Sequence, residues 1–244
     1  MSTGYDDKRT FYMVRHAECE DNAKGVIPSK DTSLSPTGVE QGRALEPLFS
    51  ALFHDTTKCY FRCSALPRAQ KTAELMSPNF PPQIDADLSE LDSGVLTGLP
   101  ISKARAIIQE RESIATKTPS DVDPENDHTK RVVGSVIFDH RQKCPEDQTP
   151  VFLSHYVSIK QVARALGIDV EDLEERREGT AFKNGAMYCF EYDKKHGHWQ
   201  LSEMFLLNGK PEKDFLAFST LGEGKLRPFH VMVTKEGGAS LVRA

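Results

Sequence analysis

Short apolar runs recur along the chain, each closed by polar or turn-forming residues and followed by a stretch with apolar positions at helical spacing. Phe11-Tyr12-Met13-Val14 is the first. Aromatic and β-branched residues in an unbroken run predict a short buried strand. It opens directly onto Arg15-His16-Ala17-Glu18 and the polar loop Cys19-Glu20-Asp21-Asn22. Ser35 suits a helix N-cap and Pro36 the first helical position, and Val39, Leu45, Leu48, Leu52 and Phe53 give the predicted helix an apolar face running to about Phe53. Cys59 to Ser64 reads as a second strand, and Pro67 starts a helix through Met76 that Pro78, Pro81 and Pro82 end.

After a short extended segment, Gly94, Gly98 and Pro100 mark a structured loop around Leu88-Ser89-Glu90. Ile101, Ala104, Ile107 and Ile108 predict a helix from Pro100 to about Ala115, and Thr116 to Asn126 reads as an exposed loop. A helix from about Asp127 to Lys143 leads to a third buried strand, Pro150 to Ser154, with His155 at its end. Val157 to Leu166 resumes as helix until Gly167 stops it. Ala186–Tyr192 and Trp199–Phe205 form a strand pair around Lys194-Lys195-His196-Gly197. Beyond Asn208 lie strand-like pieces, Phe215 to Leu221 and His230 to Thr234. Repeated strand–turn–helix units predict an α/β protein. The expectation is one domain over 1–244, with a core of about 11–205 and a C-terminal extension, 206–244.

With 244 residues, 38% hydrophobic and 27% charged, the chain is expected to be a soluble globular protein. Its formal net charge of -5, without a dense Lys/Arg run, argues against nucleic acid or anionic membrane as partner. No apolar run approaches the roughly 20 residues of a membrane span. The first residues show no leader pattern, and five scattered cysteines lack paired metal spacing, so a reducing cytoplasmic location is expected. His54, His128, His140, His196, His198 and His230 read as surface or turn histidines. The run Glu171 to Arg177 reads as a solvated helical surface with local ion pairs.

Each of three strands delivers polar groups to its end: Arg15-His16, Ser64 with Arg68, and Ser154-His155. Parallel strands in one sheet share an edge, where ligands of α/β folds bind. Taken alone, Phe11 to Glu18 fits a phosphate-binding strand end and an ordinary solvated one equally. Two arginines and two histidines around one point, however, make a pocket for a tetrahedral dianion, and Glu90 supplies a carboxyl group nearby.

Five segments together resemble the histidine phosphatase superfamily, in the branch that includes cofactor-dependent phosphoglycerate mutases. Arg15-His16-Ala17-Glu18 through Asn22 is similar to its Arg-His-Gly-Glu-Thr/Ser-x-x-Asn signature. Leu34-Ser35 with Gly38 and Gln41, Ser64 through Ala73, Leu88-Ser89-Glu90 with Gly94 and Gly98, and Ser154-His155 match its later motifs in order. The resemblance covers most of residues 11–205. It implies a three-layer α/β/α sandwich with a mostly parallel central sheet, phosphoglycerate mutase-like. It also implies His16 as the nucleophile that becomes phosphohistidine, and Arg15, Arg68 and His155 as binders of the phosphoryl group. Glu90 would be general acid and base, and Asn22 would contact the phosphoryl group or position its loop. It implies no cofactor and no metal, since the Arg/His pocket supplies positive charge. Ala17 in place of Gly, Cys19 in place of Thr or Ser, and Tyr156 after the second histidine depart from the pattern.

The reading that follows is a phosphatase acting on a small phosphorylated metabolite or a phosphoprotein, with homodimerisation left open. A phosphomutase and a non-catalytic binding module on the same fold are the alternatives. Lys103, Arg105 and Arg111 lie at helical spacing after the acid loop, without the adjacent arginine pair expected of a mutase.

Overall fold

The computed structural model describes residues 10–114, 125–176, 181–207, 214–219, 227–233 and 239–243. Its strands are β1 (Thr10–Arg15), β2 (Cys59–Ser64), β3 (Gln83–Asp85), β4 (Thr149–Ser154), β5 (Met187–Asp193), β6 (His198–Leu207), β7 (Asp214–Ser219), β8 (Arg227–Val233) and β9 (Ala239–Arg243). Its α-helices are α1 (Glu20–Ala23), α2 (Pro36–Leu52), α3 (Pro67–Met76), α4 (Ile101–Ile114), α5 (Glu125–Val133), α6 (His140–Lys143), α7 (Tyr156–Ala165) and α8 (Val170–Arg176). The strands form a nine-stranded sheet in the order β3-β2-β4-β1-β5-β6-β7-β8-β9.

The first four strands in that order are parallel, with Arg15 opposite Ser154 and Cys63 opposite Leu153. Their carboxyl ends, bearing Arg15, Ser64 and Ser154, therefore meet at one edge. The parallel character expected from the strand–turn–helix units holds in these four strands. From β5 onward every pairing is antiparallel.

Alternation of side chains along a strand feeds two cores. On one face Phe11 and Met13 of β1 pack with Phe152, Tyr188 and Phe190 against Ile159 and Val162 of α7 and Val132 of α5. On the other, Val14 packs with Phe61, Leu153 and Met187 against Leu45, Leu48 and Phe49 of α2 and Ala69, Ala73 and Met76 of α3. Helices thus cover both faces, giving the three-layer α/β/α arrangement. Pro150 to Ser154 in β4 are all buried, as a strand in the middle of a doubly covered parallel sheet requires.

Local chemistry explains the helix starts. Pro36 and Pro67 occupy the first turns of α2 and α3. The Ser35 hydroxyl accepts from the Gly38 N–H at 3.0 Å. Gly38 has a second reason to lack a side chain: a Cβ there would lie 1.8 Å from the Glu18 carbonyl oxygen. The start of α2 thereby seats directly on the turn that follows β1.

Two elements differ from expectation. The helix predicted over 127–143 is α5, a π-helical stretch over Gly134–Asp139, and α6. That wider turn coincides with Ser135 donating to Asp85 at 2.5 Å, while Asp85 pairs with Arg62 at 2.8 Å. The predicted loop 116–126 lies outside the described residues up to 124, and its last two residues belong to α5. In the tail, β7 and β8 match the strand-like pieces over their described residues, and β9 adds a strand that the sequence pattern did not reveal. Among the described residues no helix is long and apolar enough to cross a membrane.

Candidate active site

Arg15 and His16 leave the end of β1, His155 leaves the end of β4, and Arg68 stands in the first turn of α3 after β2. The His16 and His155 rings lie 5.0 Å apart between centroids, inclined at 52°. His16 is 3% exposed and Arg68 2%, and His155 is fully buried. His16, Arg68 and His155 sit together, and the Arg15 charge acts on both histidines.

The His16 tautomer follows from its partners. Nδ1 lies 2.7 Å from the Ala17 carbonyl oxygen, which can only accept, so Nδ1 carries the hydrogen. Nε2 is left with its lone pair, which accepts from Arg68 Nε–H at 3.3 Å. Burial, then the Arg68 and Arg15 charges, hold the His16 pKa well below the usual 6.5, against the Ala17 hydrogen bond, which raises it. Burial and the neighbouring His16, Arg68 and Arg15 do the same to His155. Both imidazoles are neutral at physiological pH.

The guanidinium groups are fixed by backbone carbonyls. Arg68 Nη1 donates to the Ser29 carbonyl at 2.9 Å, and Arg15 Nη1 donates to the Phe182 carbonyl. Arg15 also lies over the Tyr156 ring, 5.0 Å from its centroid. Burial lowers both arginine pKa values, with Glu90 among the groups that oppose the shift in each. Among the described residues, Arg15 Nε and His155 Nδ1 are buried without a hydrogen-bond partner. Two polar atoms of that kind at one point suit an anionic ligand.

Glu90 sits on the loop after the short turn Ala86–Leu88, at the start of α7. Its Oε2 accepts from the Val157 N–H at 3.1 Å and its Oε1 from the Leu91 N–H at 3.0 Å. Gly98, at φ 79°, shapes the same loop, which bonds to residues 25–27 through Ile27 N–H to the Leu99 carbonyl and Gly98 N–H to the Ile27 carbonyl. Asn22 turns its carbonyl oxygen to the Cys19 thiol at 3.1 Å and to Asn184 Nδ2 at 3.1 Å.

Asn184 and Thr72 were not singled out from sequence, whereas Ser64 was, at the end of the second strand. Asn184 links Asn22 to the His16 carbonyl, which it reaches at 3.1 Å. Thr72 accepts from the Ala17 N–H at 3.0 Å and donates to the Arg68 carbonyl at 2.7 Å, tying the first motif to the third. Ser64 lies 2.7 Å from His155 Nε2. Thr72 and Ser64 do stand within the motif segments, whereas Asn184 follows no pattern that marks it.

Two expectations need correction. His128, read as a surface or turn histidine, is fully buried, because α5 packs it against Ser89 and α7. Glu174, in the run read as solvated, turns inward: it accepts from the Tyr156 hydroxyl at 2.6 Å and from Lys160 Nζ at 2.9 Å. His54, His196 and His198 are exposed as expected.

A family model for the histidine phosphatase superfamily (branch 1) matches residues 11–205. A stretch of 91 residues is 32% identical to 6-phosphofructo-2-kinase/fructose-2,6-bisphosphatase of Caenorhabditis elegans, covering 37% of this chain but only 19% of that protein. Among solved structures, a phosphoserine phosphatase from Entamoeba histolytica is 20% identical with a TM-score of 0.62, over 80% of this chain and 95% of that one. Mycobacterial glucosyl-3-phosphoglycerate phosphatase is also 20% identical, with a TM-score of 0.59 over 80% and 97%. At such identity these two show the shared fold. The match over 11–205, spanning every motif that supplies the clustered arginines and histidines, identifies the chain as a member of the histidine phosphatase superfamily, branch 1.

Proposed function

We propose that the chain hydrolyses phosphomonoesters through a phosphohistidine formed on His16 Nε2. The observation that carries this reading is the fixed tautomer of His16: a buried, neutral imidazole whose lone pair lies beside a guanidinium group. A nucleophile must be unprotonated when it meets phosphorus, and burial among cations keeps it so. The same cations neutralise the three equatorial oxygens as charge spreads over them.

In the first step the Arg68 Nε–H turns from His16 Nε2 to a phosphoryl oxygen, and the freed Nε2 lone pair attacks phosphorus as the bond to the ester oxygen breaks. Nδ1 keeps its hydrogen on the Ala17 carbonyl, so the phosphoimidazolium charge is met by a backbone dipole. Glu90 gives its proton to the departing oxygen. In the second step water attacks phosphorus and returns a proton to the Glu90 carboxylate. The phosphorus–nitrogen bond breaks, and inorganic phosphate leaves. His155 contributes as a neutral donor: with the Ser64 hydroxyl donating to its Nε2, Nδ1 carries the hydrogen toward a phosphoryl oxygen. Asn22, joined to Asn184 and Cys19, holds the loop that ends at the nucleophile.

The substrate class is a small phosphorylated metabolite or a phosphoprotein. Five buried cysteines in the thiol form support action in a reducing, cytoplasmic setting. Rapid acid-versus-base quenching with labelled substrate tests the reading. Wild type is expected to hold acid-labile, base-stable phosphate on His16, and His16→Ala to fall to background with p-nitrophenyl phosphate. Equal, background-level rates in both would point instead to a binding module. Isomer rather than free phosphate from a phosphoglycerate with a bisphosphate primer would make the protein a mutase.

A further inference from the structure

We propose that His128 is a positioning residue for Glu90, an inference that rests on the acid role just given to that carboxyl group. His128 comes from α5, a segment that contributes none of the motif residues, yet it is fully buried. Its Nε2 lies 3.2 Å from the Ser89 carbonyl oxygen, 3.2 Å from Ser158 Oγ and 4.0 Å from Glu90 Oε1. A carbonyl oxygen only accepts, so the bond to Ser89 puts the ring hydrogen on Nε2. That hydrogen lies within reach of both the backbone just before Glu90 and the Ser158 hydroxyl. Ser158 Oγ in turn is 3.5 Å from Glu90 Oε1 and 3.4 Å from the Ser89 carbonyl.

The carboxyl group is therefore gripped from two sides. Val157 N–H holds Oε2 and Leu91 N–H holds Oε1, while the His128–Ser158 pair braces the same Oε1 together with the peptide that carries Glu90. Without the imidazole, the carboxyl group keeps its chemistry but loses its aim. An acid that delivers a proton to a leaving oxygen must sit within hydrogen-bond reach of it, and small misplacements cost rate steeply. The loss should scale with how much the leaving group needs the proton. A primary alkyl oxygen needs it badly, whereas 2,4-dinitrophenolate departs without help.

The test compares kcat/KM, which reports the steps through departure of the leaving group, for a primary alkyl phosphate and 2,4-dinitrophenyl phosphate. His128→Leu is expected to lose about tenfold or more on the alkyl ester and stay within about twofold on the dinitrophenyl ester. His128→Asn, which keeps an N–H donor, is expected to recover most of the alkyl rate. Ser158→Ala, which cuts the link without removing a ring, is expected to shift the ratio the same way and keeps the test intact if His128→Leu does not fold. Equal losses on both esters would mean that His128 only packs α5 against α7, and an unchanged ratio in folded variants would equally overturn the proposal. Glu90→Gln is the reference. If that variant shows no leaving-group dependence, the acid role itself fails; if it does and the His128 and Ser158 variants do not, only the present inference fails.

Discussion

The two buried imidazoles tie the stability of the protein to pH in a direction that follows from their surroundings. Each has a folded pKa below the 6.5 of the free group. Below pH 6.5 the unfolded chain therefore binds more protons than the folded one, and stability falls as pH drops through 6.5 toward the folded values. The limiting slope is about 1.4 kcal/mol per pH unit for each histidine. Urea unfolding between pH 6.5 and 5.5 checks this: His155→Gln should lose about half as much stability over that interval as wild type. Tyr156 supports a second expectation. Its ring carries Arg15 on one contact and Lys160 on another, each 5.0 Å from the centroid, and its hydroxyl is tied to Glu174. Tyr156→Gly loosens the Arg15 guanidinium, which keeps its bond to the Phe182 carbonyl, and a lost cation–π contact of about 1 kcal/mol raises KM for a small phosphate ester roughly fivefold. Tyr156→Phe should stay near wild type in the same steady-state assay. The departures at 17 and 19 are explained by what those residues do. Ala17 serves through its N–H and carbonyl, and the Cys19 thiol donates to Asn22 as a hydroxyl would.

At the scale of elements, the helix starts were legible because their chemistry is local. Ser35-Pro36 and Pro67 mark the beginnings of α2 and α3 from sequence alone, and the structure has both helices starting at those prolines. The start of α7 was legible only in position. Its N-cap residue, His155, makes no side-chain cap bond, and the acceptor for the Val157 N–H arrives from Glu90, 67 residues earlier. No local pattern predicts a cap supplied from another segment. It has a measurable consequence: Glu90→Ala should lower unfolding free energy by about 1 kcal/mol through loss of that acceptor, besides abolishing catalysis on poor leaving groups. Gly38 gives the sharper case. A methyl group there would meet the Glu18 carbonyl at 1.8 Å, so α2 must shift away from the turn that carries His16. Gly38→Ala is expected to cost about 3 kcal/mol in chemical denaturation and to lower kcat with it, whereas Ser35→Ala should cost about 1 kcal/mol.

For the whole molecule, repeated strand–turn–helix units made the α/β class readable, but not the sheet order, because pairing of β2 with β4 and β4 with β1 joins segments far apart in sequence. The motifs were readable as a set for the same physical reason that they work as one: parallel strands end at a common edge. His128 and Asn184 escaped because nothing near them in sequence shows where α5 and the approach to β5 fold back. Charge belongs to this scale as well. The chain carries a formal -5, so its long-range field repels a phosphate dianion, while the proposed mechanism assigns the attraction to Arg68, which is buried, and Arg15. Salt at about 0.1 M screens exposed charges beyond roughly 10 Å and buried pairs much less. Screening therefore weakens the repulsion more than the attraction. Raising potassium chloride from about 20 to 300 mM should leave kcat/KM for a dianionic ester unchanged or raise it up to about threefold. A tenfold fall would mean instead that exposed cations on the rim steer the substrate in, and that Arg15 and Arg68 act only after it has arrived.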